Sequence, residues 1–161
     1  MSTKLISKIL IAVLCIVLSV SICSCTGGMN VMQQVNNIKN FAADTADVAK
    51  SLTDDTIPVE EKIAKAEKLL HPDSGLSVET IKEELVNHEA LQGLDPNAGV
   101  EIVTMPELDD LMELMAMDEN GNSTCTAEVV LKIGDATLTI DVTLLSDAKG
   151  MGISSYSITR E

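Results

Sequence analysis

The chain has 161 residues, with 25 acidic against 11 basic side chains and a formal charge of −14. Such acidity repels polyanions, which sets aside nucleic acid and anionic lipid surfaces and favours cations or basic proteins as partners. One phenylalanine, one tyrosine and no tryptophan leave nothing from which to build the aromatic platforms that sugars and single strands stack on.

Lys4 and Lys8 precede an apolar stretch from Ile9 to Val20, and Ile22-Cys23-Ser24-Cys25 comes next. The stretch has the length of a signal-peptide core and falls short of the roughly 20 residues of a spanning helix. Basic residues before it and none just after it orient the segment so that the downstream chain is exported. The quartet resembles the lipobox of bacterial lipoproteins: a branched apolar residue, two small residues and the acceptor cysteine. That resemblance implies cleavage after Ser24, lipid on Cys25, and a domain held on the extracytoplasmic face of a membrane in the cell envelope. Two or more acyl chains make such an anchor stable, since one chain alone is marginal.

Removal of residues 1–24 takes Lys4 and Lys8 with it, so the remaining 137 residues set 9 basic against 25 acidic side chains, a formal charge of −16. That length suits one domain, and it is too short for a two-lobed solute receptor. Cys15 and Cys23 leave with the signal and Cys25 carries lipid, so only Cys125 is left and the mature chain is expected to form no intramolecular disulfide. The expected division is a signal over 1–24, a lipidated cysteine and short tether over 25–30, and one domain over 31–161.

In that domain the pattern is first helical. Val31, Val35, Ile38, Ala42, Ala46, Ala49 and Leu52 form one stripe, predicting a long helix that ends near Thr53-Asp54-Asp55. Pro58 opens a second helix with Val59, Ile63, Ala66 and Leu70 on one face, and His71-Pro72 stops it. Ser77 is the expected N-cap of a third, with Val78, Ile81, Leu85 and His88 in line. Val100 to Val103 reads as a short strand. Thr104-Met105-Pro106-Glu107 matches a capping box ahead of a short helix from Glu107 to Met115. Asn120-Gly121 marks a turn.

The period then becomes two. Cys125, Ala127, Val129, Leu131 and Ile133 alternate with polar neighbours, Gly134-Asp135 turns the chain, and Ala136, Leu138, Ile140, Val142 and Leu144 alternate again. A last strand runs from Met151 to Thr159. The predicted class is α+β, with N-terminal helices packed on a curved antiparallel sheet.

This order is similar to that of the nuclear transport factor two-like and cystatin-like cone families. Ala66-Glu67-Lys68-Leu69-Leu70-His71-Pro72 with the Ser77-Val78-Glu79 helix start looks like their helical half, and Thr137 to Ile158 like their closing hairpin. Met151 and Gly152 stand where such hairpins often carry an aromatic and a lysine, which puts one wall of the usual cavity in doubt. If the cone encloses a pocket, the residues expected there are His88, Met112, Met115 and Met151. It does not fix an activity, because such folds host enzymes and binding proteins alike.

Motifs for chemistry are sparse. An EF-hand loop counted from Asp118 puts Ser123 and Val129 where glycine and glutamate belong, so a solvated turn is the expectation. Met105, Met112, Met115 and Met117 offer soft thioethers to Cu(I), yet no histidine or cysteine accompanies them, and methionines at helical spacing usually fill a core. His71 is expected at a helix end, and His88 is the one candidate base of an isomerase-type cavity enzyme. Asp141 has the parity of a solvent-facing residue. The expected function is therefore a lipid-anchored, non-enzymatic envelope protein with no cofactor, whose domain binds a small apolar ligand or a basic protein partner.

Overall fold

A computed structural model describes residues 29–54, 56–95, 97–104 and 119–161. Cys25 lies outside the described residues, and so do Met105, Met112, Met115, Met117 and the expected helix from Glu107 to Met115. Among the described residues there are three α-helices, α1 (Met29–Thr53), α2 (Val59–Glu67) and α3 (Val78–Asn87), a 3₁₀ turn at Glu89–Leu91, and four strands. The strands β1 (Val100–Thr104), β2 (Ser123–Ile133), β3 (Ala136–Asp147) and β4 (Gly150–Arg160) form one antiparallel sheet in the order β1-β2-β3-β4. The class is α+β. None of the described helices is long and apolar enough to cross a membrane.

The period-two text of β2 and β3 becomes one buried face. Cys125, Val129, Leu131 and Ile133 of β2 meet Leu138, Ile140, Val142 and Leu144 of β3 in a shared core. Ile133 pairs with Ala136 across a two-residue loop, where Gly134 takes a φ of 62° that a Cβ disfavours. At the other end Asp147 pairs with Gly150, so Ala148-Lys149 closes the β3–β4 hairpin.

β4 keeps its apolar side chains in the core only through a bulge. Thr143 pairs with Ser155 and Leu144 with Ile153, which leaves Ser154 as the extra residue. Without it, the parity set by Tyr156 and Ile158 would turn Ile153 and Met151 outward. The bulge flips the strand so that Met151 is buried beside Ile153 and also bends the sheet.

The helices cover the apolar face, with one departure from the sequence pattern. On α1 the buried line is Gln34, Phe41, Thr45, Val48 and Ser51; Gln34, Phe41 and Thr45 come one residue before Val35, Ala42 and Ala46 of the expected stripe, while Ile38 of that stripe packs against the core. One residue is a rotation of about 100°, and Ala46 faces solvent. Phe41 carries more apolar area than the neighbouring Ala42. Two of the polar members are satisfied within the helix, Thr45 Oγ1 donating to the Phe41 carbonyl and Ser51 Oγ to the Val48 carbonyl, both at 2.7 Å, whereas Gln34 Oε1 is buried with no hydrogen-bond partner among the described residues. Gln34 Nε2 reaches across to Ser123 Oγ at 2.8 Å.

α2 stops at Glu67, four residues short of the expected His71. The N–H groups of Lys68, Leu69 and Leu70 bond three residues back, which tightens the last turn. Leu70 and His71 then leave the helix to meet the outer edge of β4. Ile153 N–H donates to the Leu69 carbonyl at 2.8 Å, and His71 N–H to the Ile153 carbonyl at 2.9 Å. Pro72 favours this extended backbone at His71. α3 begins as expected, with Ser77 Oγ accepting the Thr80 N–H at 3.1 Å. It is tied to β4 by Tyr156 Oη donating to Glu84. Burial first, and then that carboxylate, hold the Tyr156 hydroxyl well above its ordinary pKa.

Candidate functional site

The polar residues of this fold converge where α1, the end of α2 and the β3–β4 hairpin meet. The approach depends on Gly152, because a Cβ there would lie 2.5 Å from the His71 nitrogen and 2.8 Å from its Cα. Backbone thus packs directly on backbone, and His71 is carried to the hairpin with its side chain fully buried.

Both ring nitrogens of His71 are engaged. Nδ1 accepts the Asp73 N–H at 3.2 Å, so the proton of the neutral ring sits on Nε2, which donates to Asp147 Oδ1 at 3.1 Å. Asp147 Oδ1 also accepts the Lys149 N–H at 2.7 Å, the bond that shapes the hairpin turn. Lys149 Nζ closes the circuit on both oxygens of Asp73, at 2.7 and 2.6 Å. From α1, Asn37 Nδ2 donates to Ser146 Oγ at 3.1 Å and to the Asp147 carbonyl at 2.9 Å. Three segments are latched together by these bonds.

The electrostatics reflect this geometry. Burial pushes the Asp147 carboxyl up, but the Lys149 N–H, the His71 ring and the Lys149 charge outweigh it, so it titrates below the ordinary aspartate value. Hydrogen bonds to Asp73, with its charge, raise the Lys149 ammonium. Ligand atoms of His71, Asp73 and Asp147 lie within 4.8 Å of one another, a spacing that can hold a metal ion. Such an ion would have to displace Lys149 from Asp73 and remove the Nε2 proton, and Nδ1 could not accept a proton in exchange without losing its bond from Asp73. The cluster is satisfied by its own internal cation.

A cavity of about 490 Å³ opens beside the latch. Phe41 and Met151, both buried, form its floor with half-buried Leu70. Asn37, Asn40 and Asp44 line it from successive turns of α1, and Glu67, Lys68 and Lys149 belong to its lining as well. Glu67 Oε1 is occupied by the Val78 N–H at 2.8 Å. Asn40, Asp44 and Lys68 have no hydrogen-bond or ion-pair partner among the described residues and present their groups for binding.

Of the residues singled out in the sequence, Met151 lines this cavity. His88 does not: it ends α3, and its Nδ1 accepts the Ala90 N–H at 3.3 Å to cap the 3₁₀ turn. Met112, Met115 and Cys25 lie outside the described residues. Asp141 is half-exposed and accepts a hydrogen bond from Ser157 Oγ at 3.2 Å. Cys125 is buried in the core face of β2, and residues 119 and 120 form a turn, with Gly121 at φ 84°. Asn37, Asp73, Asp147 and Lys149 belong to no motif of the sequence. The signal that points to them is Gly152 itself, since a glycine inside a strand marks a close approach of backbone. No protein family, curated relative or solved structure matches the chain.

Proposed function

We propose that this protein is a lipid-anchored, extracytoplasmic envelope protein, non-enzymatic, whose domain is a cystatin-like cone that binds a small ligand. Its anchor would be Cys25, supported by the basic head, the short apolar core and the small residues that precede that cysteine. The observation that carries the binding reading is the cavity: an apolar floor of Phe41 and Met151 under a polar rim in which Asn40, Asp44 and Lys68 have no partner among the described residues. Pockets of about 300–1,000 Å³ with a few convergent polar groups suit small molecules. Catalysis draws no support from His88, whose ring nitrogen is used as a cap away from these walls.

The test begins with the full chain expressed with its signal. The mature protein is expected in the membrane fraction carrying the mass of acyl chains, and Cys25→Ser is expected to abolish that mass and release the protein. Native mass spectrometry of the lipidated protein should then show an extra mass that denaturation removes. Asn40→Trp, which fills the cavity from an exposed position, should lose that mass with little change in the urea midpoint. A bare protein mass, or a bound mass indifferent to Asn40→Trp, would overturn the cavity as the binding site.

A further inference from the structure

The walls of the cavity narrow the class of ligand, an inference that rests on the cavity being the binding site. Four charged side chains line it, Asp44 and Glu67 against Lys68 and Lys149. On a chain of formal charge −14 this lining is balanced. Two of the four are already used, because Glu67 receives the Val78 N–H and Lys149 grips Asp73. Asp44 on α1 and Lys68 at the end of α2 remain, one of each sign, with no partner of their own among the described residues.

The amides of the lining are also selective. Asn37 has committed its Nδ2 to Ser146 and Asp147, so only its Oδ1 is left, as an acceptor. Asn40, one turn on along the same face of α1, keeps both a donor and an acceptor. Such groups match a peptide unit or an α-amino group. The floor of Phe41, Leu70 and Met151 asks for an apolar side chain, and methionine lets that floor adapt its shape. We infer that the cavity takes a zwitterionic ligand with an apolar body, its ammonium on Asp44 and its carboxylate on Lys68: a free apolar amino acid or a short apolar peptide.

The probes are L-leucine and the dipeptide Ala-Leu, with N-acetyl-Ala-Leu and Ala-Leu-amide as forms that lack one charge each. They are titrated by calorimetry into the full lipidated protein in a nonionic detergent. Asp44→Asn should weaken Ala-Leu roughly tenfold and leave N-acetyl-Ala-Leu unchanged, as expected for loss of one charge-assisted bond. Lys68→Met should weaken Ala-Leu similarly and leave Ala-Leu-amide unchanged. Asp44 and Lys68 make no side-chain bond to the described residues, so both variants should keep the wild-type urea midpoint. Binding of leucine alone, or of Ala-Leu alone, separates the free amino acid from the peptide. Equal effects of each variant on charged and capped probes would overturn recognition of a zwitterion. Absence of probe binding while native mass spectrometry shows another bound mass would overturn this ligand class and leave the cavity standing. Absence of both would remove the cavity reading with it.

Discussion

Gly152 shows how much one missing Cβ can position. It lets the Leu69–His71 backbone touch β4, and that contact delivers His71 to Asp147 and Pro72 to the cavity wall. Gly152→Ala should therefore cost about 1–3 kcal/mol, because backbone on both sides must shift to admit a methyl group. Gly99 offers a control: nothing lies within 4 Å of its Cβ position, and Gly99→Ala should leave the urea midpoint nearly unchanged. Equal midpoints for the two variants would show that the docking of His71 does not depend on Gly152. The glycine was legible as a residue type and its partner was not, since the backbone it meets lies some eighty positions earlier in the chain.

At the scale of elements, the two central strands came from alternation alone, because each has one buried and one open face. α1 did not, since a helix surrounded by alanine, threonine and serine can bury more than one stripe at similar cost. Intrahelical bonds from Thr45 and Ser51 make those residues acceptable in the interface and turn the helix by one residue. The open face of the sheet carries a different kind of information. Glu128 and Asp141 are directly paired across β2 and β3, and like charges in that position oppose pairing. Glu128→Lys should make the pair attractive and raise stability by about 0.5 kcal/mol, less in high salt. A urea midpoint that does not rise at low ionic strength would show that solvent already screens the pair.

Across the whole molecule, the latch joins three separate stretches of chain and couples their docking to pH. Asp147 titrates lower in the folded state than in the unfolded chain, so its ionised form stabilises the fold at neutral pH. That contribution is present above the unfolded value, about 4, and is lost as pH falls through the depressed folded value. Wild-type stability should thus drop on acidification below about pH 4, and Asp147→Asn should lack that part of the drop. Parallel curves for the two proteins would mean that the latch contributes nothing to the acid transition. The remaining surface carboxylates are common to both proteins, so the difference between the curves isolates Asp147.

Local pattern was enough for the α+β class, the start of α3 at Ser77, the turn at Gly134-Asp135 and the buried faces of β2 and β3. Each of these depends on residues close in sequence, where hydrophobic period, capping and turn chemistry act directly. The end of α2, the rotation of α1, the bulge at Ser154 and the cavity with its latch were decided by tertiary structure. His71 leaves its helix because Ile153 offers it a hydrogen bond, and Lys149 becomes the cation of the cluster because a distant loop brings Asp73 to it. No window along the chain contains both partners of those contacts, so their energies come into play only when the helices close over the sheet.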